Sequence, residues 1–158
     1  MNRDTLKRFT LIDQLSVDHL KLFSLIEKTI FAYLLIGLVF IFLKKTGLTE
    51  VYLSSSAIGG TIGYLVITIK LMYHDEALSE FKTHTSINKD TLNSAMLAIG
   101  YSEKKEGIYY PKKRTFSIFY LCKSELITQK STNETTIFTG PHNKLLKLTK
   151  TIERDAYS

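Results

Sequence analysis

The feature that most constrains this chain is a pair of uncharged apolar runs, residues 29–43 and 51–69, joined by a short polar bend at 44–50. With Lys28 and Lys44 reaching outward from its ends, a helix over the first run rises about 24 Å at about 1.5 Å per residue. The hydrocarbon core of a bilayer is about 30 Å thick, and the apolar approach at 22–26 can lengthen the run to match. The second run is of full spanning length. Together they predict a transmembrane helical hairpin.

The second run is diluted by Ser54, Ser55, Ser56, Gly59, Gly60, Thr61 and Gly63. Ser55, Gly59 and Gly63 fall at four-residue spacing on one helix face, where small side chains let another helix approach closely. Two occupants fit that stripe. One is the first span of the same chain; the other is a second copy of the chain or a helix of another membrane protein. No Asp, Glu, Lys, Arg or His lies within either run, which argues against an ion or proton pathway at membrane depth.

Outside the hairpin the chain is modestly basic. The formal charge of +6 divides into +1 over residues 1–28, +2 over 29–73 and +3 over 74–158. Acids and bases alternate along most of its length, whereas a nucleic-acid binder concentrates base on one face or arm. Membrane lipid is the expected counterpart of this mild excess, because an anionic leaflet attracts nearby Lys and Arg. Arg8, Lys21, Lys28, Lys70, Lys82 and Lys89 flank the hairpin, against Lys44 and Lys45 in the bend. That bias predicts both termini on the cytoplasmic side. Cys122 is the single cysteine, in keeping with a reducing compartment. Acidic residues punctuate positions 1–28 and no small-residue cleavage site follows the first run, so it is expected to be retained as an anchor.

In chain order, residues 3–28 suggest an amphipathic helical segment, with Leu6, Phe9, Ile12 and Leu15 and then Leu20, Phe23 and Ile26 at intervals of three. Ser16 is a candidate N-cap for its second part. The apolar stripe is expected to lie on lipid, on a partner, or on the chain's own soluble domain. The second span is expected to continue as helix toward Leu78 and Phe81, and residues 83–87 to break it. Asn88 can cap a helix from Lys89 to Ile99 that Gly100 ends. Strand patterns follow at 101–103, 108–110, 116–122, 126–130 and 135–139, with 116–122 expected to be central and a turn at 131–134. Gly140 and Pro141 are expected to break the sheet before a final helix near His142. The predicted fold is therefore a two-helix membrane hairpin at 29–73 plus a small cytosolic α+β domain at 84–152. That domain would hold an antiparallel sheet of about four strands flanked by two helices.

No phosphate loop, dinucleotide fingerprint, nucleophile elbow or zinc-protease motif occurs, so no cofactor or metal is expected. His74 beside Asp75 and Glu76 resembles a solvated cluster more than a metal site, which needs further ligands at turn-compatible spacing. Cys122 in an apolar stretch is expected to be a core residue. Lys112, Lys113 and Arg114 form the densest basic run; it is either a solvated loop or a contact for anionic headgroups. The tyrosines and phenylalanines around it are better explained by a core than by nucleic-acid stacking.

A two-span hairpin carrying a small cytosolic domain is similar in architecture to many bacterial inner-membrane accessory and toxin-immunity proteins. The two runs, the sheet domain and the lack of a catalytic motif lead to the expectation of a multi-pass inner-membrane protein that is not an enzyme and acts by binding. Its expected role is immunity against, or inhibition of, a membrane-acting toxin, or service as an accessory subunit. The alternative is a membrane-tethered regulatory or scaffold domain that binds anionic lipid, a nucleotide or a soluble protein.

Overall fold

A computed structural model describes residues 6–50, 52–83, 87–132 and 135–156. The helix start expected at Arg3, the break at 84–86 and the turn residues Asn133 and Glu134 lie outside the described residues.

Among the described residues there are five α-helices and one antiparallel sheet of six strands. Strand β1 (Leu6–Arg8) precedes α1 (Leu11–Val17), the long α2 (Leu20–Lys45) and α3 (Leu53–Lys70). After a π-helical turn at Leu71–Asp75 come β2 (Leu78–Thr83), α4 (Lys89–Ala98), β3 (Tyr101–Lys105) and β4 (Ile108–Pro111). A 3-10 turn at Lys123–Glu125 leads into β5 (Ile127–Thr132), β6 (Thr135–Pro141) and α5 (His142–Ala156).

The strand order is β1-β2-β6-β5-β4-β3. Four of the five expected strand patterns are present as β3 to β6, and two strands outside that set, β1 and β2, bring the sheet to six. Strand β2 occupies residues expected to prolong the second span, and β1 lies within the segment expected to be helical. Three residues are too few to display a period of two, and Leu6 and Phe9 fit a helical repeat equally well. Leu6 pairs with Phe81, and Phe81 with Phe138, whose ring it stacks on at 6.1 Å. Sequence-distant strands therefore meet at the centre of the core.

One face of the sheet is covered by α4 and α5. Leu92, Ala95 and Met96 from α4 and Leu145, Leu148 and Ile152 from α5 pack on Phe81, Tyr109, Ile127 and Phe138. The opposite face carries Glu80, Lys82 and Lys130, with an ion pair of 3.0 Å between Lys82 and Glu80. Such alternation is what an antiparallel sheet with one wet face requires. Asn88 caps α4 through Asp90 N, and Gly100 closes it at φ +85°.

Two further expectations fail for identifiable reasons. Gly140 and Pro141 do not break the sheet; they pair with Ser79 and Leu78 in β6. A Cβ on Gly140 would sit 2.8 Å from Ile127 Cγ1 and 3.0 Å from Leu126 O, so glycine there lets β5 approach closely. Residues 116–122 are not a strand. They are apolar on both parities because Phe116 and Cys122 are buried at the ends of a loop whose tip, Ile118 and Phe119, is exposed.

The helical pair is built differently. Helix α2 has 26 residues, about 39 Å at about 1.5 Å per residue, and continues without interruption through the expected boundary at residue 28. Both α2 and the stretch Ser54–Asp75 are long and apolar enough to cross a membrane. Only 6% of the apolar window of α2 and 17% of that of Ser54–Asp75 are buried within the protein, so most of both lies on the outside of the molecule. Two hydroxyls along them bond back to their own helix, Thr29 to Leu25 O at 2.8 Å and Thr61 to Ala57 O at 2.7 Å, so these two do not depend on water.

Candidate functional site

The hairpin joins the sheet domain through an inverted seam. Along α1 and the start of α2, Gln14, Asp18, Lys21 and Ser24 are buried, at most 2% exposed. Leu11, Ile12, Val17, Leu20, Leu22, Phe23 and Ile26 on the other faces are exposed. The apolar stripe read from the sequence is therefore divided: Leu6 packs on the core of the sheet domain and Phe9 and Leu15 are half-buried, whereas Ile12, Leu20, Phe23 and Ile26 face outward. Thr10, not Ser16, caps a helix here, accepting from Asp13 N in a capping box; Ser16 donates to Asp13 O.

The four buried polar residues each bond across the seam, although Asp18 Oδ1 and the Tyr73 hydroxyl are buried without a partner. Lys21 Nζ donates to Gln14 Oε1 (3.1 Å) and Glu76 O (3.3 Å) and lies over the rings of Tyr73 and Phe116 at 5.0 and 4.8 Å. Asp18 Oδ2 accepts from Ser124 N and Oγ, both at 2.7 Å. Ser24 Oγ donates to Phe116 O. Burial holds the Glu76 carboxyl above the ordinary carboxylate range, against the opposing hydrogen bond from Asn143. The same cause pushes the Cys122 thiol up to about 12. Cys122 accordingly sits in the apolar cluster with Met72 and Phe116, as expected of a core residue.

Carboxylates also shape the loop at 112–122. Glu125 Oε1 accepts from Thr115 N (2.5 Å) and Phe116 N (3.0 Å), and Oε2 from Cys122 N (3.2 Å). Glu27 on α2 accepts from Ser117 Oγ (2.5 Å) and Ile118 N (3.3 Å). Lys28 Nζ donates to Thr115 O at 2.9 Å, and the Phe119 ring stacks on Phe31 at 6.3 Å. The loop thus lies along α2 and encloses a groove of about 600 Å³ between itself and the helical pair. Phe31, Leu35, Ile36 and Tyr64 form its apolar wall, and Lys28, Lys113 and Arg114 lie at its polar end.

The residues singled out from the sequence fall in two places. Lys113 and Arg114 line the groove, whereas Lys112 is exposed outside it. Ser55, Gly59 and Gly63 lie on the exposed side of α3, and a Cβ on either glycine would meet nothing within 4 Å. The first span is not their occupant. It is seated by Gly60, whose Cβ would lie 3.3 Å from Ile36 Cδ1, together with buried Ala57 and Ala32. His74 and Asp75 pair at 2.9 Å on the surface.

The groove and the seam escaped the sequence reading. Gln14, Asp18, Lys21 and Ser24 do recur at helical spacing within an apolar stretch, and that polar stripe was the available signal. The groove has no local signal, because its roof comes from residues 113–118 and its floor from α2 and α3.

No protein-family model, curated protein or solved structure matches the chain.

Proposed function

We propose that this is a small integral membrane protein that acts by binding, with α2 and α3 crossing the bacterial inner membrane and both termini in the cytoplasm. The observation that carries the reading is the inverted construction of the hairpin. Large apolar side chains cover its outside, while polar groups are held inside against the sheet domain. An apolar surface of this extent is tolerated only when lipid or protein covers it.

On this reading the outward stripe of Ser55, Gly59 and Gly63 receives a helix of another membrane protein or of a membrane-inserting toxin, and the chain serves as an immunity, inhibitor or accessory protein. What favours that assignment is that the hairpin's own packing uses a different face, at Gly60. Gly59→Leu should therefore leave the α2–α3 seam intact while blocking close approach from outside. The test is affinity capture of the detergent-solubilised full-length chain from its native membrane, in parallel with Gly59→Leu. A membrane protein or toxin captured by the unmodified chain and lost with Gly59→Leu supports the reading. A soluble partner retained by both transfers the binding role to the sheet domain.

A further inference from the structure

The groove beneath residues 113–118 has the composition of a lipid site. Its volume, about 600 Å³, lies within the range of about 300–1,000 Å³ usual for small-molecule sites. Its wall is Phe31, Leu35, Ile36 and Tyr64, side chains of the same helices that expose large apolar residues such as Leu38, Phe42, Ile62 and Val66. Its polar end holds Lys28, Lys113 and Arg114 against a single carboxylate, Glu27. Glu27 is already engaged by the Ser117 hydroxyl and the Ile118 amide. Two of the three cations are set in place by the fold: Lys28 donates to Thr115 O, and Arg114 Nη1 to Ile118 O at 3.2 Å. Each keeps further N–H groups for an incoming anion.

We infer that this groove binds one anionic phospholipid, with its phosphate among Lys28, Lys113 and Arg114 and an acyl chain along Phe31, Leu35, Ile36 and Tyr64. Charge complementarity selects this occupant. A zwitterionic lipid gains less from a net cationic rim, and an apolar helix leaves that rim unmatched. The bound lipid joins α2, α3 and the 112–122 loop through one molecule, so loop and hairpin act as a unit. The inference rests on the reading of α2 and α3 as membrane-spanning helices.

The test is native mass spectrometry of the full-length chain in detergent, titrated with dioleoylphosphatidylglycerol or dioleoylphosphatidylcholine. One phosphatidylglycerol per chain is expected, preferred about tenfold over phosphatidylcholine. Lys113→Gln, an exposed change that the fold does not depend on, should lower the preference severalfold, and Lys113→Gln with Arg114→Gln should erase it. Lys104→Gln with Lys105→Gln on the β3–β4 hairpin removes the same charge and should leave it unchanged. Equal retention of the two lipids, or equal loss in the control pair, overturns the groove assignment. Carbonate extraction of membranes carrying the same chains separates the two readings. A chain retained in the membrane without lipid preference refutes the groove alone, and a chain released by carbonate refutes the spanning reading with it.

Discussion

The sheet domain and the helical hairpin bury opposite kinds of side chain. In the domain, Phe81, Ile127, Phe138, Leu145 and Leu148 are at most 1% exposed and charge lies outside. At the root of the hairpin, Lys21, Asp18 and Gln14 are at most 2% exposed, while Ile12 and Phe23 are 78% and 59% exposed. One chain is thus written for two surroundings. The change of rule falls along α1 and the first turns of α2, on either side of the short break at Asp18 and His19.

The widest separation between the two regions should come from the same substitution made in each. Leu145→Ala removes a fully buried side chain and should cost about 3 kcal/mol. Leu38→Ala, at a position 65% exposed, should cost less than about 0.5 kcal/mol. Chemical unfolding of both variants in detergent measures this, and equal losses would abolish the distinction.

A slightly smaller effect tests whether the polar seam is an interior in its own right. Glu125→Ala strips the acceptor from the amides of Thr115, Phe116 and Cys122 and should cost about 2–3 kcal/mol. Hydrogen exchange should quicken at those three amides while α4 and α5 stay protected. Protection that persists at Thr115 and Phe116 would show that the loop is held by its apolar contacts alone.

The smallest effect concerns pH. Because burial raises the folded-state pKa of Glu76 above the ordinary value near 4.5, the folded chain holds that proton more tightly than the unfolded one. The resulting stability is fully present below the ordinary value and is lost as pH rises through the raised one. His142 acts in the opposite sense: burial lowers its pKa, so stability present above about 6.5 is lost as pH falls through the lowered value. Glu76→Gln should leave only the destabilising slope on acidification, a change below about 1 kcal/mol that melting temperatures between pH 8 and 5 would register. An unaltered pH profile would mean that Glu76 is well solvated.

Legibility in the sequence followed the range of the interactions. The helical pair, the caps at Asn88 and Gly100, the β3–β4 hairpin and the start of α5 were all legible, since each depends on neighbours within a few residues. Strand β1 was not, because its identity comes from pairing with Phe81, far along the chain. The Ser55, Gly59 and Gly63 stripe was legible as a helix face, yet which neighbour it meets depends on the rotation of α3, which Gly60 and Ile36 set. Lys113 and Arg114 were legible as a basic run; their place at the end of an apolar groove depends on Glu27 and Glu125 folding the loop back.

The adjacency of β1 and β2 has a consequence for biosynthesis. The ribosome delivers residues 6–8 before the two long helices and residues 78–83 after them, yet Leu6, Lys7 and Arg8 must pair with Phe81, Glu80 and Ser79. With α2 and α3 read as spans, a hairpin that has crossed and returned keeps these strands on the same side, whereas a single crossing separates them. A chain that inserts one helix alone strands β1 across the bilayer and leaves the β2 edge unpaired, a template for aggregation. On that reading, pairing of β1 with β2 requires that the two helices cross together or not at all.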